Sequence, residues 1–469
     1  MNTVRVRFAP SPTGHLHIGG LRTALFNVLF AKHMGGTFLL RVEDTDIERS
    51  KPEYVASQLA SLEWANIVPD EPLVYQLSRI NEHKQIINRL LAEGKVYKCY
   101  CTENIEYNTH IDNELNDQTF LKYNRTCRSL PIDHISEKPY VIRFALPDQG
   151  IIEFNDLIRG PIAFNTHEFD DFIIARSDGT PMYNFVVVAD DAFMKITHVI
   201  RGEDHISNTP KQILLYQACG YNIPHFAHLP LILGPSGQRL SKRDAATSVT
   251  EYKDAGFLPA ALINYLVRLG WSHGDQEVFT FQELVNYFSL EQVGKKSGIF
   301  DIKKLEWLNG LYMRQSSAHE LYNYIRQYID HLFEERLSTW STRQIIELIE
   351  LYKSRTHTLK ELINELIAVH DKITQISDDD ARSWINENTK EHLKTVQKSF
   401  ELLETFTQEN ITAAVKQIAL NLSIKLITIA QPIRLALIGK SSGPGVFELC
   451  TILGKTKTVE RIQELINSL

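Results

Sequence analysis

A loop rich in glycine and histidine lies near the start of the sequence. The stretch SPTGHLHIGG, residues 11–20, carries His17 together with Gly14, Gly19 and Gly20. Glycine lets a nucleotide approach the backbone closely, and the free N–H groups at the start of a helix attract phosphate. His17 could donate a hydrogen bond to a phosphate that gains charge in a transition state. The loop therefore favours nucleotide chemistry, although a tight turn with exposed histidines would use the same residues.

A second loop carries a cluster of basic residues. The stretch GQRLSKRDAATSV, residues 237–249, contains Arg239, Lys242 and Arg243 beside a glycine. Such a loop could close on triphosphate oxygens and neutralise them. Taken alone, a basic loop is more often a solvated run of charge. The two loops carry more weight together than either does separately.

The segments around the first loop predict the elements that position it. Residues 4–8 alternate apolar side chains with arginine, which is typical of a half-buried strand. Apolar residues then recur at helical spacing from Leu21, and Gly35 and Gly36 close that helix. The run TFLLRV, residues 37–42, predicts a second, buried strand. Strand, loop, helix and strand in this order predict an α/β fold with a doubly wound parallel sheet.

Later segments divide the rest of the chain. Residues from about 73 to 150 predict a helix, a polar stretch and short strands, which suggests an insertion between two halves of the sheet. Buried-strand character returns near 182–188 and 196–200. After about residue 316 the apolar period is helical almost throughout. We therefore expect an α/β body followed by an α-helical region.

The composition limits the class of protein. Apolar residues make up 43% and charged residues 23%, which are globular values, so disordered and fibrous classes are excluded. The net charge of −7 excludes a small basic protein that coats DNA, but it leaves room for a local basic surface that binds nucleic acid. Five cysteines are too few for a disulfide framework. With no signal peptide and no long apolar run, we expect a cytoplasmic protein of about three domains.

Together, the two loops resemble the signatures of the class I aminoacyl-tRNA synthetases. The segments RFAPSPTG, RVEDTD, THVIRGEDH, LSKRDAATSV and LPAALINYLVRLGWSHGDQEVFT narrow this resemblance to the bacterial glutamyl-tRNA synthetase family. KLEWLNGLYM and AQPIRLALIGKSSGPGVFEL are similar to the stem-contacting and anticodon-binding parts of that family. The resemblance runs in order from Arg5 to the carboxyl end.

The resemblance implies a reaction and an architecture. Members activate L-glutamate with ATP and Mg²⁺ to glutamyl adenylate, then transfer the glutamyl group to the 3′-terminal adenosine of tRNA-Glu, commonly as monomers. Their fold implies a Rossmann-like catalytic region at 1–315, with an acceptor-binding insertion at about 73–180 and a stem-contacting part at about 236–315. An all-α anticodon-binding region would then occupy 316–469.

The resemblance also implies site residues. The implied catalytic residues are His17 and Lys242. The residues implied to bind ATP are His17, Gly19, Gly20, Ser241 and Lys242. The residues implied to bind glutamate are Arg7, Ser11, Thr13, Glu43, Tyr183 and Arg201. Glu43 would accept from the α-ammonium, and Arg7, with Arg201 as a second guanidinium, would pair with the side-chain carboxylate. Two positions depart from the class pattern, because Gly20 replaces a histidine and Arg239 replaces a lysine.

Three cysteines resemble a zinc site found in some members of the family. Cys99, Cys101 and Cys127 match its first three ligands, but Ser129 stands at the fourth position. Serine is a poor zinc ligand, whereas structural zinc normally has four N, S or carboxylate ligands. His110, Asp133 or His134 could supply the fourth ligand instead. We therefore assign no metal from the sequence.

One arginine bears on the choice of tRNA. Arg355 matches the position at which members specific for tRNA-Glu carry an anticodon-reading arginine, although a lone arginine on a helix is more often a solvated charge. A synthetase that also charges tRNA-Gln remains the alternative, as does a catalytically dead tRNA-binding relative. The presence of His17 and Lys242 argues against the dead relative. A glutaminyl-tRNA synthetase would carry a β-barrel where this chain predicts helices.

Overall fold

A computed structural model gives the structure of the protein. It describes residues 3–101, 123, 125–131, 138–238, 240, 248–328, 337, 339–371, 376 and 379–469. The chain folds into two compact units. The first unit comprises Met1–Glu251 and Leu262–Asp301, and the second comprises Tyr252–Ala261 and Ile302–Leu469. The division of the chain into a catalytic and an anticodon-binding region at residue 315 stays a prediction.

The strands of the described chain all lie in the first unit. They are β1 (Arg5–Phe8), β2 (Thr37–Val42), β3 (Val74–Tyr75), β4 (Val96–Cys99), β5 (Val141–Phe144), β6 (Ile151–Asp156), β7 (Gly160–Asn165), β8 (Ile173–Ala175), β9 (His198–Gly202), β10 (His225–Leu229), β11 (Ile232–Leu233) and β12 (Gly298–Ile299). Seven of them form the main sheet in the order β3-β2-β1-β9-β10-β6-β7. Neighbours in this sheet are parallel except β6 and β7. The mostly parallel, doubly wound sheet predicted from the sequence is confirmed.

Helices pack around this sheet. Up to residue 301 they are α1 (Ile18–His33), α2 (Pro52–Trp64), α3 (Ile80–Ala92), α4 (Tyr183–Phe193), α5 (Thr209–Cys219), α6 (Val249–Asp254), α7 (Pro259–Arg268) and α8 (Phe281–Tyr287). One core cluster among them is built mainly of Ile, Leu, Val and Phe side chains, with helices α3, α4 and α5 packed on strands that include β4, β5 and β8. Among the described residues, no helix is long and apolar enough to span a bilayer.

The predicted β1–α1–β2 unit is confirmed, with two refinements. Helix α1 begins at Ile18, three residues before the apolar period starts, because the ring Nδ1 of His17 accepts the N–H of Gly19 at 3.1 Å and caps the helix. The helix ends where the N–H of Gly36 donates to the carbonyl of Ala31 at 2.8 Å. A Cβ at Gly36 would lie 2.4 Å from the carbonyl oxygen of Val4, so only glycine fits there.

The prediction of a buried strand near 182–188 is wrong. This segment begins helix α4, and its residues from Phe185 to Ala189 are all buried. A helix enclosed on every side is apolar all round and loses the period that would identify it. A short apolar run of this kind cannot be distinguished from a buried strand by periodicity alone. The strand predicted near 196–200 is present as β9.

The region predicted as an insertion contributes to two sheets. Strands β4, β5 and β8 form a separate antiparallel sheet. Strands β6 and β7 instead extend the main sheet, where β6 pairs with β10. The boundaries of an acceptor-binding insertion at about 73–180 therefore stay a prediction.

The secondary-structure elements described in the second unit are all helices. Beyond residue 301 its helices are α9 (Ile302–Gln315), α10 (Ala318–Tyr328), α11 (Thr342–Tyr352), α12 (Leu359–His370), α13 (Asp379–Ser383), α14 (Thr389–Leu402), α15 (Gln408–Asn421), α16 (Ile427–Ile438) and α17 (Val446–Ser468). Their apolar stripes meet in one core rich in Leu and Ile. The helical region predicted after residue 316 is confirmed.

Candidate active site

A cavity of 350 Å³ opens in the first unit at the carboxyl ends of its parallel strands. Phe8 at the end of β1, Glu43 just after β2 and Gly202 at the end of β9 all line it, and the first turn of α1 forms one side. Crevices at this edge of an open α/β sheet are the usual binding sites of such folds. The cavity is therefore the candidate active site.

Most of the residues predicted from the sequence meet in this cavity. Those that line it are Arg7, Ser11, His17, Gly19, Gly20, Glu43, Tyr183 and Arg201. Thr13 is exposed and is not among the lining residues, so its role stays a prediction. Ser241 and Lys242 lie outside the described residues. Arg355 belongs to the second unit, where it is exposed just after α11.

A buried cluster of charges forms the floor of the cavity. Asp191 on α4 accepts from Nε and Nη2 of Arg7 at 3.0 and 3.2 Å, and it also accepts from Nη1 of Arg41. Arg41 further donates from Nη2 to Oε1 of Glu43 at 3.2 Å. Burial raises the pKa of the Asp191 carboxyl, but the guanidinium groups of Arg41 and Arg7 outweigh burial and hold that pKa below its ordinary value. Asp191 therefore stays ionised and fixes both arginines.

Glu43 is a buried carboxylate with a different balance. Burial raises the pKa of Glu43 above its ordinary value, and the attraction of Arg41 and Arg7 offsets this only in part. A further cation near Glu43 would stabilise its charged form. The substrate α-ammonium that the sequence assigns to Glu43 is such a cation.

Arg201 differs from the other buried arginines of the floor. Its Nε donates to Nε2 of His228 at 3.2 Å and its Nη2 donates to Oγ1 of Thr209 at 2.9 Å, so both contacts are neutral. Its Nη1 is buried without a hydrogen-bond partner within the described structure. Burial also lowers the pKa of the Arg201 guanidinium. An unpaired buried donor on a cation costs free energy, and a carboxylate ligand would relieve that cost.

Tyr183 and His205 close the same end of the cavity. The Tyr183 hydroxyl lies 3.1 Å from Nδ1 of His205. Burial raises the pKa of Tyr183 to about 12. Burial, with the nearby charge of Arg201, lowers the pKa of His205 to about 4. Both groups are therefore neutral near pH 7, and they bring hydrogen bonds rather than charge to this end.

Another part of the cavity wall has features that favour phosphate. The first turn of α1 presents the positive end of the helix there, with Gly19 and Gly20 at the wall. A Cβ at Gly20 would lie 3.0 Å from Cδ1 of Leu16, so this position is already crowded. The basic loop returns here, because Ser248 forms a β-bridge with His17. This geometry brings the carboxyl end of the second sequence motif beside the first.

Several residues of the site were missed by the sequence analysis. Arg41 and Asp191 complete the charge cluster, and His228, Asp156 and Thr209 hold Arg201 from behind. One signal was available for Asp191. Acidic residues are rarely buried without a partner, and Asp190 and Asp191 interrupt an otherwise apolar run. Their partners, however, lie far away in the sequence.

The structure brings Cys99, Cys101 and Cys127 together, and a fourth donor lies beside them. The sulfur atoms of Cys99, Cys101 and Cys127 lie within 4.8 Å of one another. The hydroxyl of Tyr123 lies 3.2 Å from Sγ of Cys99 and 3.8 Å from Sγ of Cys101. The sequence analysis considered Ser129 for the fourth position, whereas Tyr123 supplies the hydroxyl at this cluster. The other residues considered, His110, Asp133 and His134, lie outside the described residues. Three thiols and one phenol oxygen give four donors, which is the number of ligands that structural zinc takes.

Comparisons with known proteins identify the family. The family described as "tRNA synthetases class I (E and Q), catalytic domain" matches residues 3–307, and an "Anticodon binding domain" matches residues 320–466. The glutamate–tRNA ligase of Geobacter sulfurreducens is 43% identical over 466 residues, which are 99% of each chain. The chain belongs to the glutamate–tRNA ligases of class I. The ligase of Thermodesulfovibrio yellowstonii is 44% identical over 99% of this chain and 100% of its own.

Solved structures agree with this assignment. A glutamate–tRNA ligase from Elizabethkingia meningosepticum, crystallised in complex with its amino acid, is 32% identical and superposes with a TM-score of 0.87 over 100% of both chains. The synthetase from Elizabethkingia anophelis gives a TM-score of 0.84 at the same identity, covering 99% of this chain and 100% of its own. An aminoacyl-tRNA synthetase uses ATP as co-substrate, so ATP, glutamate and tRNA follow from the family. The all-helical second unit, over its described residues, argues against the β-barrel of a glutaminyl enzyme.

Proposed function

We propose that the chain activates L-glutamate with ATP and transfers the glutamyl group to the 3′-terminal adenosine of tRNA-Glu. One observation carries this proposal above the others. The cavity presents a buried guanidinium with an unpartnered donor, that of Arg201, together with the helix N-terminus that carries His17 and Gly19. A substrate that joins a carboxylate to a phosphate, as glutamyl adenylate does, is complementary to both ends.

The glutamate end of the cavity has donors and acceptors for each charged group of the amino acid. The side-chain carboxylate would accept from Nη1 of Arg201, with Arg7 as the second guanidinium. Because Nε and Nη2 of Arg7 are already bonded to Asp191, Arg201 supplies the donor that lacks a partner. The α-ammonium would pair with Glu43. Tyr183 and Ser11 complete the pocket wall, and Thr13 follows from the resemblance alone.

The ATP end of the cavity supplies positioning and charge. The backbone N–H of Gly20 and the ring of His17 would bind phosphate oxygens, and Gly19 would let the nucleotide approach the backbone closely, as the glutamate carboxylate attacks the α-phosphorus and pyrophosphate leaves. Ser241 and Lys242 are assigned here from the resemblance, Lys242 to hold the departing pyrophosphate. Magnesium would arrive with ATP. The terminal ribose hydroxyl of the tRNA then attacks the adenylate carbonyl and AMP leaves, so neither step needs a nucleophile from the protein.

The remaining assignments rest on the resemblance and on composition. Residues 1–315 would catalyse, with the acceptor end of the tRNA bound by about 73–180 and its stem by about 236–315. Residues 316–469 would read the anticodon, with Arg355 contacting a base edge. Residues 421–469 carry six basic and three acidic side chains, the sign expected of a surface that faces RNA. We also propose that the enzyme acts as a monomer in the cytoplasm, where tRNA and ATP are available.

Aminoacylation with labelled glutamate tests the choice of tRNA. Purified tRNA-Glu and tRNA-Gln are assayed separately with the wild-type chain and with Arg355→Gln. We expect charging of tRNA-Glu alone, and we expect Arg355→Gln to weaken it by about 1–3 kcal/mol, the value of one bidentate base contact. Charging of both tRNAs by the wild type would keep the enzyme class but remove the role of Arg355. Charging of neither tRNA would refute the proposed function.

We further propose that Cys99, Cys101, Tyr123 and Cys127 hold a structural zinc ion. Zinc would join β4 to the short helical turn at Thr126–Ser129, which carries Cys127. We expect about one zinc per purified chain, lost in Cys127→Ser and retained in Cys219→Ser, whose cysteine is buried outside the cluster. Metal-free protein in which all five cysteine thiols react with a thiol reagent after unfolding would contradict this assignment.

A further inference from the structure

Arg201, His228 and Asp156 form a row of polar residues across three neighbouring strands of the main sheet. Arg201 on β9 lies opposite His228 on β10 in the sheet register. His228 in turn contacts Asp156, at the end of β6, through Nδ1 and Oδ2 at 2.6 Å. Asp156 and His228 are almost completely buried, at 1% and 0% exposure, and neither lines the cavity. The row therefore touches the site only through the arginine.

The hydrogen bonds of Asp156 fix the direction of this row. Its Oδ1 accepts three backbone N–H groups, from Ile158 at 3.0 Å, Arg159 at 2.8 Å and His228 at 3.3 Å. Its Oδ2 remains for the ring of His228. Because an ionised carboxylate can only accept, the hydrogen lies on Nδ1 of His228 and its Nε2 keeps a lone pair. That lone pair accepts from Nε of Arg201.

The protonation states agree with this direction. Burial raises the pKa of Asp156, but the hydrogen bonds from His228 and the backbone outweigh burial and leave that pKa below its ordinary value. Burial lowers the pKa of His228, and the contact with Asp156 offsets this only in part. The pair is therefore carboxylate and neutral imidazole near neutral pH. A charged imidazolium would carry hydrogen on Nε2 and oppose the Arg201 donor.

We propose that His228, held in one tautomer by Asp156, is a positioning residue that holds the guanidinium of Arg201 in place for the side-chain carboxylate of the substrate. This inference rests on the proposed function and extends it to residues that do not touch substrate. Nε of Arg201 is bound by His228 and Nη2 by Thr209, so the plane of the guanidinium is fixed where Arg201 lines the cavity. A flexible arginine would lose side-chain conformational entropy when it binds substrate. Because the row already holds Arg201 in place, less of that entropy is lost on binding.

Substitutions along the row test the inference. Residues that hold a metal ligand in place typically contribute about 10- to 100-fold to affinity, and we expect His228→Leu to raise the KM for glutamate by a similar factor. The KM for ATP should change by less than about twofold, because the phosphate end of the cavity keeps its contacts. His228→Gln supplies a carbonyl oxygen near the position of Nε2 and should recover most of the loss. His225→Leu, on the exposed end of the same strand, is the matched control and should leave both KM values unchanged.

Asp156→Asn separates positioning from packing because it preserves shape. The three backbone N–H groups hold the amide oxygen at the place of Oδ1, which leaves the amide NH₂ facing Nδ1 of His228. The ring must then carry its hydrogen on Nε2, which opposes Nε of Arg201. We expect the KM for glutamate to rise as it does in His228→Leu, while the thermal midpoint falls far less than in that variant. In wild type, ¹⁵N shifts of His228 should show hydrogen on Nδ1 only.

The outcomes distinguish this inference from the proposed function. Failure of the wild-type chain to charge tRNA-Glu would refute the function, whatever the variants do. With wild-type charging intact, an unchanged KM for glutamate in His228→Leu and Asp156→Asn would overturn the inference. Equal increases in both KM values, or hydrogen on Nε2 in wild type, would also overturn it. If His228→Leu does not fold, Asp156→Asn and the ¹⁵N shifts decide the question.

Discussion

Replacing Arg201 with methionine should reduce kcat/KM for glutamate by about 10- to 100-fold, because a hydrogen bond to a charged group contributes about 1.5–3 kcal/mol and the substrate carboxylate would lose the donor at Nη1. The fold should tolerate the change. Arg201 has no carboxylate partner among the described residues, and its Nη1 is buried and unpaired. After the substitution, the Thr209 hydroxyl can still donate to Nε2 of His228, 3.1 Å away. We therefore expect a free energy of unfolding within about 1 kcal/mol of wild type.

Steady-state kinetics and denaturation of the same preparation measure both effects. Arg5→Met is the matched control, since Arg5 lies on β1 and forms an ion pair with Glu71 away from the cavity. Its kcat/KM should stay within about twofold of wild type. A loss of stability in Arg201→Met as large as its loss of activity would assign Arg201 a structural role instead.

Replacing Asp191 with asparagine should destabilise the first unit by about 3–5 kcal/mol, the range found when one member of a buried ion pair is removed. Arg7 and Arg41 would both lose their shared negative partner inside the protein. Native-state hydrogen exchange of the β1 and β2 amides reports on this unit alone. The matched control is Glu71→Gln, which removes the ion-pair partner of Arg5. Arg5 lies on β1, the strand that also carries Arg7. The side chain of Glu71 is 43% exposed, so we expect a loss below about 1 kcal/mol. Equal losses in the two variants would contradict the account of the floor.

The free energies of unfolding of wild type and Asp191→Asn should differ less at low pH. The folded pKa of Asp191 lies below its unfolded value of about 3.9, so ionised Asp191 gives its full stabilisation of the folded protein above that pH. The contribution is lost as the pH falls through the lower folded pKa. The stability gap between wild type and Asp191→Asn should therefore be constant from pH 7 to about 5 and narrow below about pH 4. A gap that widens on acidification would have the wrong sign.

Sequence patterns within short segments predicted most elements of the fold. Residues 4–42 give strand, loop, helix and strand because period, glycine and capping signals all lie within a few residues of the element they set. Helix α4 was missed because complete burial erases the period on which such a prediction depends. The start of α1 was placed too late, because the histidine that caps it contributes no apolar residue to the pattern.

The site residues also fall into those that local motifs predict and those that depend on partners distant in the sequence. His17, Gly19 and Glu43 follow local motifs and line the cavity as the resemblance implied. Asp191 meets Arg7 across 184 positions of sequence, and His228 meets Asp156 across 72. Such pairings depend on the order and register of the strands, which a single sequence does not specify. The charge balance that leaves Arg201 without a carboxylate appears only when these distant partners are placed.

Competition between amino acids for tRNA-Glu tests the central claim most directly. The wild-type chain is given ATP, tRNA-Glu and equal concentrations of differently labelled L-glutamate and L-glutamine, and both aminoacyl products are counted. Sites that lose a required polar partner can reject an analogue by about 10⁴-fold, and glutamine offers Arg201 an amide in place of a carboxylate. We predict a product that is almost entirely glutamyl-tRNA. Comparable incorporation of glutamine would show that the unpaired guanidinium does not select the substrate, and the account of the cavity would be wrong.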